Sequence, residues 1–597
     1  MKKLLKSFLP QLAYFYSYLK YRLVVLLVLS ILVGFLDGLG LAMFLPLLEL
    51  LSDQDQTPDA GQMGNMSFVL DGLNALGLSF NLAVVLLTIL FFFTLKGVAK
   101  WYAGYLNVVY QQFFIRTIRV DNIDALSNYD YRQFVVADAG AIHNTMTGEV
   151  GKVVQGYRNY SLILQNLVMV LTYTILAFLA NAQFATLVAV GGVLSNVVFS
   201  QMYRKTKELS KSLVTYNNGF QKLLIQQVAF FKYLKATGKL KEYGSNLKQK
   251  VYEMEQSVRK MGIIDSVMSG VREPLMIAVV VLVIFAQVYV FGGRLSTIVL
   301  SILFFYRALT AVMQLQTYYN KFLSFSGSLT NMEEFVNDLK EHRYRDGKQV
   351  VNRFNDKLTL EDVSFGYVAG DDILQNINLE INRDETVAIV GESGSGKTTL
   401  MNIISGILAP TGGSIFVDGI DYRQAKIETF QKRIGYITQE PVIFDDTVFN
   451  NVTFWEEPNK ANIDRFYWAV KKANIENLFD DYLDPLTSRL GNNGVSLSGG
   501  QKQRLSIARE LYKDTDLLLM DEATSALDSE TERAIQLNID KMKGEYAIVI
   551  IAHRLSTIKN ADRVVYLSKG RIEFIGTYKD LVTKSDAFQR MVKLQEI

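Results

Sequence analysis

The 597-residue chain contains no cysteine. Disulfides, thiolate metal sites and cysteine nucleophiles are therefore excluded. Histidine is almost as scarce, and His143, His342 and His553 are too scattered to suggest a metal cluster. A charge imbalance is missing too. Lys and Arg number 62 against 59 Asp and Glu, a net charge of +3, so nothing argues for nucleic acid as a partner. Long stretches lack charge altogether. Between Leu23 and Leu48 the only charged residue is Asp37. A carboxylate in such a run is costly in lipid and marks a functional site by default.

What is present is uneven. The first half holds apolar runs at roughly 23–51, 82–107, 159–181, 184–203, 273–291 and 296–323, each about the ~20 residues that a span needs. The basic, amphipathic start "MKKLLKSFLPQLAYFYSYLKYR" reads as an interfacial helix leading into an uncleaved span. The loop 52–81 has four Asp and no Lys or Arg, whereas 108–158 and 204–272 are rich in both. The Lys/Arg bias places the N-terminus and the long connections in the cytosol.

Spacing adds a prediction. Two helices must cover the stretch from Leu82 to Asn181, which makes each ~75 Å long. The hydrocarbon core takes only ~30 Å, so both project into the cytosol as a lever. Phe184 to Phe291 has the same dimensions. The lever tips fall near Tyr129–Gln133 and Gln226–Leu234. In the first external loop, Val69, Leu73, Leu76 and Phe80 share one helical face, which suits a surface helix that either caps the bundle or touches lipid.

After the charged linker 341–352 the pattern changes. "ETVAIVGESGSGKTTLMNIISGIL" reads as strand, glycine loop, helix. Gly391, Glu392, Ser393, Gly394, Ser395, Gly396, Lys397 and Thr398 fit G-x-x-x-x-G-K-[ST], with Thr399 following. Such a loop turns backbone N–H groups onto phosphate oxygens. Lys397 adds a point charge, and Thr398 a hydroxyl for Mg²⁺. "LLLMDEATSALD" is a buried strand ending in Asp521, placed for Mg²⁺, and Glu522, a candidate general base for attacking water. Ser498, Gly499, Gly500 and Gln501 open a helix and form a second phosphate nest.

These motifs, in this order, make the region from about Leu358 onward resemble the ATP-binding domain of ABC transporters. The resemblance implies ATP and Mg²⁺ as cofactors. It implies that Tyr367 stacks on adenine, that Gln439 touches Mg²⁺ and water, and that His553 contacts the γ-phosphate. It also implies that Ser498, Gly499 and Gly500 bind ATP held by a partner subunit, with Asp528 at the dimer interface. The loop "GNNGVS" departs from the pattern: Asn492 and Asn493 stand where exporters often carry an acidic residue. The whole chain resembles an exporter half-transporter. That resemblance implies an all-α six-span membrane domain with long cytosolic extensions over 1–340 and an α/β P-loop ATPase domain over 353–597. With every catalytic motif present, a homodimer with two working sites is expected.

The cargo is less directly written. Asp37 lies ~21 Å from the outer end of its span, Lys96 ~21 Å and Arg307 ~16 Å. Lys100 is one turn below Lys96, and Arg272 sits near the cytosolic end of the fifth span. Asp37–Lys96 reads either as a structural ion pair or as part of a basic cavity suited to a phosphate-bearing substrate. "LDGLGLAMFLP", "TLKGVAK" and "SNYDYRQF…TMTGEV" resemble bacterial flippases for lipid-linked oligosaccharides. That resemblance implies a lipid or lipid-linked glycan moved by alternating access across the bacterial inner membrane. A multidrug or hydrophobic-compound exporter is the alternative, and an ATP-gated channel or regulator a more distant one.

Overall fold

A computed structural model of the chain describes residues 2–44, 81–180, 182–285, 295–344, 346–368, 370–480, 484–491, 494–521, 542–552 and 554–586, with a few single positions besides. Glu522, Asp528, His553, Asn492, Asn493 and the external segment 69–80 lie outside the described residues. The chain forms two compact units. One comprises Met1–Tyr129 and Val136–Arg343, the other Asp130–Val135 and Tyr344–Ile597.

The first unit is helical. Its elements are α1 (Lys2–Leu19), α2 (Tyr21–Ala42) and α3 (Leu82–Ser127), then, beyond the tip helix α4 (Tyr131–Val136), α5 (Ala139–Asn144), α6 (Val150–Ala180), α7 (Ala182–Ala229), α8 (Phe231–Ala236), α9 (Leu240–Phe285), α10 (Leu295–Ser324) and α11 (Ser326–Glu341). Among the described residues four stretches are long and apolar enough to cross a membrane: Tyr21–Ala42, Leu82–Ser127, Ala139–Phe178 and Leu240–Phe285. The runs 184–203 and 296–323 fall in α7 and α10, whose side chains are in part outside the described set. Helices α3, α7 and α9 have 46, 48 and 46 residues, about 70 Å each. Three of the four lever arms inferred from spacing are therefore continuous helices, and the fourth is broken by a π-turn at Thr145–Glu149. The tip helices α4 and α8 begin a few residues later than expected. Asp130 sets the start of α4, its carboxylate accepting from the Arg132 backbone N–H at 3.0 Å.

Close packing explains the glycines around Asp37. A Cβ added at Gly38 would sit 2.4 Å from Leu176, and one at Gly40 2.9 Å from Phe93. Small residues here bring α2 against α3 and α6, the usual device for helices that gain little from hydrophobicity in lipid. Towards the cytosol, Phe15 of α1 packs on Phe114, Tyr157 and Tyr160, all fully buried. Between α5 and α6 a π-helical turn, Thr145–Glu149, interrupts the α-helix. Glu149 is fully buried there and accepts from Lys152 (2.8 Å) and Asn144 (3.1 Å). Asn144 in turn bonds Asn217 and Asn218 of α7.

The second unit is α/β. Strands β1 (Lys357–Phe365), β2 (Leu374–Asn382) and β4 (Gly412–Val417) form an antiparallel sheet with the short strand Ile420–Asp421. A six-stranded sheet runs β9-β8-β3-β7-β6-β5, where β3 is Thr386–Val390, β5 Ile434–Ile437, β6 Leu517–Asp521, β7 Ala547–Ile551, β8 Arg563–Ser568 and β9 Arg571–Gly576. Only β8–β9 is antiparallel. Strands β3 and β7 are buried at every position, the continuous Val/Ile pattern of a parallel sheet covered on both faces.

Candidate functional site

The nucleotide motifs converge at the carboxyl edge of this parallel sheet. The glycine loop follows β3 and leads into helix α12 (Lys397–Ile404). Asp521 ends β6, and Thr438-Gln439 follows β5 beside it, since Ile437 pairs with Met520. Strand β7 lies between β3 and β6, with Ile551 paired to both Ile389 and Asp521. Two strand spacings therefore separate Asp521 from the loop, about 10 Å. Ligands of open α/β sheets bind at this edge.

The loop itself is a cradle. A Cβ on Gly391 would lie 2.0 Å from the Leu567 carbonyl oxygen, and Gly396, at φ 101°, caps α12. Lys397 is buried, and its ammonium donates to the carbonyls of Gly391 (3.0 Å) and Glu392 (2.9 Å). The buried Ser395 hydroxyl has no hydrogen-bond partner among the described residues. Thr398 and Gln439 are exposed, and Asp521 is half-buried. A loop turned at three glycines, a buried ammonium and a hydroxyl unpartnered among the described residues fit a polyphosphate. Thr398, Gln439 and Asp521 are hard oxygen donors of the kind Mg²⁺ takes. Among the described residues no three His, Asp or Glu side chains cluster as a self-sufficient metal site.

Tyr367 packs edge-on against Phe365 (5.1 Å between ring centroids). Its carbonyl accepts from the Arg132 guanidinium at 3.0 Å, and Arg132 also lies over the Phe365 ring. The tip segment Asp130–Val135 thus shares a unit with this edge. Ser498 caps helix α13 (Gly499–Tyr512) in a capping box with Gln501. Ser498 and Gly499 are exposed, which leaves the helix N-terminus open to an anion.

Two residues here carry no motif and escaped the sequence reading. Arg509 of α13 is buried and donates to the Val442 carbonyl (2.7 Å), the Asn451 carbonyl (2.6 Å) and the Asn451 side chain (3.0 Å). It ties α13 to Val442 and Asn451 in the segment after Gln439, and its burial lowers the guanidinium pKa. Trp455 holds φ at 61°, a strained setting for a bulky residue. Its indole N–H donates to Asp446 at 2.6 Å, and its ring meets Phe444. That indole bond, with the Thr447 N–H and Asn450, holds the Asp446 carboxyl below its ordinary range.

A second site lies in the helical unit. A cavity of about 510 Å³ is lined by α2, α3, α6 and α10 and gathers Asp37, Lys96, Lys100, Tyr173 and Arg307. Asp37 is 2% exposed. It pairs with Lys96 of α3 and accepts from the Tyr173 hydroxyl of α6, so one carboxylate joins three helices. Among the described residues Lys100 and Arg307 have no ion-pair partner, which leaves three cations around one carboxylate. Tyr173 was not foreseen, because a tyrosine in an apolar span carries no charge to flag it.

Arg272, read from sequence near the cytosolic end of its span, is not among the residues lining this cavity. Its side chain is buried between helices, donating to Thr317 (2.5 Å) and the Gln316 carbonyl (3.2 Å) of α10, over the Phe199 ring of α7. Depth along a helix was readable from the sequence, but not which face pointed inward.

Comparison with known proteins agrees with both halves. The family model described as "ABC transporter" matches residues 374–525, and that for the "ABC transporter transmembrane region" matches 23–315. The chain is 28% identical over 467 residues to a heterocyst differentiation ATP-binding protein of a Nostoc species, covering 77% of this chain and 76% of the relative. It is 28% identical over 518 residues to an ATP-dependent lipid A-core flippase of Cupriavidus pinatubonensis, covering 84% and 86%. A flippase of the same name from Ralstonia nicotianae is 38% identical, but over 253 residues, 43% of its length. The fold is similar to a solved bacterial Atm1-family ABC exporter with ATP bound. The TM-score is 0.75 at 21% identity, covering 97% of this chain and 99% of the other. With a helical membrane region joined to an α/β domain whose glycine loop, strand-end aspartate and capped helix α13 are all in place, the chain belongs to the ABC transporters, with a multi-pass transmembrane region, its own ATP-binding domain and the fold of an ABC exporter.

Proposed function

We propose that the protein is a homodimeric, ATP-hydrolysing flippase of a bacterial inner membrane, moving a lipid or lipid-linked glycan that bears phosphate. The observation that carries this reading is the cavity charge: Lys96, Lys100 and Arg307 around the single carboxylate of Asp37. An excess of cations in a half-buried site favours phosphate and disfavours the cationic drugs of many exporters.

On the ATPase side, Tyr367 would stack on adenine, while Gly391–Thr399 and Lys397 would cradle the phosphates. Thr398, Gln439 and Asp521 would hold Mg²⁺, which when bound neutralises charge on the phosphate oxygens. Ser498–Gly500 would meet the nucleotide of a second copy, so two chains would form each site. Glu522 would accept the proton of the attacking water, His553 would contact the γ-phosphate, and Asp528 would lie at the dimer interface. Supporting a second copy, Phe230, Phe231 and Tyr233 at the tip of the second lever are exposed.

The test is ATPase activity of the full protein in liposomes, across polyprenyl-pyrophosphate glycans, phospholipids and hydrophobic drugs. Stimulation confined to phosphate-bearing polyprenyl lipids is expected. A response to drugs alone would replace this reading with the drug-exporter alternative. Asp37→Asn provides a second check. It frees Lys96 and makes the cavity more basic, so the half-maximal concentration of the phosphate lipid should fall about fivefold. An unchanged half-maximal concentration with less folded protein would make the pair structural only.

A further inference from the structure

The cavity is not uniform along the helices that line it. Its charged groups lie within about one helical turn of one another, and its neutral amides lie below them. On α3 the lining descends ~16 Å from Lys96 to Asn107, on α6 ~12 Å from Tyr173 to Gln165, and on α10 ~10 Å from Arg307 to Gln314. These helices alternate in direction. By the Lys/Arg bias α3 and α10 run inward and α6 outward, yet on α3 and α10 the amide lies on the cytosolic side of the cation, and on α6 on the cytosolic side of the tyrosine that bonds Asp37. Three independent helices therefore agree on one layering.

The amide layer retains hydrogen-bonding capacity. Each side-chain amide offers two donors and an acceptor with two lone pairs. Asn107 accepts from Ser161 at 3.3 Å, and Gln165 donates to Ser161 at 3.4 Å, both long contacts. Gln314 is exposed to the cavity and has no hydrogen-bond partner among the described residues. Amides serving only as glue between helices would be turned inward and saturated. Neutral groups that both donate and accept suit a hydroxyl-rich neutral ligand, and neither an acyl chain nor a second anion.

We propose that the cavity comprises two stacked subsites: an outer one for phosphate at Lys96, Lys100 and Arg307, and a cytosol-side one at Asn107, Gln165 and Gln314 for the sugar joined to that phosphate. This rests on the phosphate-lipid reading above and deepens it. The substrate class becomes a glycosyl phosphate or pyrophosphate lipid, held with its phosphate nearer the bilayer centre than its sugar. Asp37 offsets part of the positive charge on the phosphate level, and the amide layer distinguishes a glycosylated lipid from a bare one.

The experiment compares two probes in one liposome preparation: a polyprenyl phosphate without sugar and a polyprenyl pyrophosphate carrying a short neutral glycan. The readout is the ratio of their half-maximal concentrations for ATPase stimulation, which a loss of folded protein does not alter. Wild type should respond to the glycan lipid at a concentration about tenfold lower. The double variant Gln165→Leu with Gln314→Leu should bring the ratio close to one, and Gln314→Leu alone should cover part of that change. A double variant that keeps the wild-type ratio overturns the sugar subsite and leaves the phosphate reading standing. A wild type with equal response to both probes does the same. A wild type stimulated by neither probe overturns both readings together.

Discussion

Glu522→Gln is expected to stop ATP turnover, lowering it at least a hundredfold while leaving ATP bound. A general base contributes roughly 10²–10⁴ in rate, and the amide keeps the shape of the carboxylate but cannot take the proton. Its neighbour Asp521 ends a strand paired on both sides, with β7 and β5, so the substitution should leave the fold intact. ATP binding without hydrolysis should then hold two chains together through the cradle of one and the N-terminus of α13 of the other. Size measurement with ATP and Mg²⁺ would show a stable dimer with nucleotide retained. Turnover near the wild-type rate would remove Glu522 as the base.

Lys100→Gln together with Arg307→Gln should raise the half-maximal concentration of a phosphate-bearing lipid about a hundredfold. Hydrogen bonds to charged groups contribute about 1.5–3 kcal/mol each, near a factor of ten or more per residue. Neither residue has an ion-pair partner among the described residues, so their removal strands no buried counter-charge. Lys96 differs: without it Asp37 would be left buried beside Tyr173 alone, at a cost of about 3–5 kcal/mol to the fold. That contrast separates ligand binding from stability. Stimulation by phosphate lipids that survives in the double variant would place their recognition elsewhere.

The ATP-binding half was legible because its chemistry is local. A strand, a glycine loop and a helix stand next to one another in sequence, and the parallel sheet then sets Asp521 and Gln439 at the same edge. Arg509 and Trp455 were not legible. Their roles depend on contacts with Asn451 and Asp446 that no spacing announces. In the membrane half, counting residues from the span ends placed Asp37, Lys96 and Arg307 at similar depth, and the helices bring them to one cavity. The same count could not show that Arg272 turns to Thr317 and Gln316 of α10, because that is a matter of helix face. The amide layer was invisible for a further reason. Asn107, Gln165 and Gln314 are ordinary polar residues in sequence and acquire meaning only when three helices bring them to one level.

The central claim is that ATP hydrolysis drives a phosphate-bearing lipid across the bilayer. Its most direct test is movement of a fluorescent polyprenyl-pyrophosphate glycan in proteoliposomes, read by quenching from outside. Wild type should change the accessible fraction only with ATP and Mg²⁺, and Glu522→Gln should not change it at all. Movement that persists in Glu522→Gln, or a fraction that stays constant in wild type while ATP is consumed, would contradict the account.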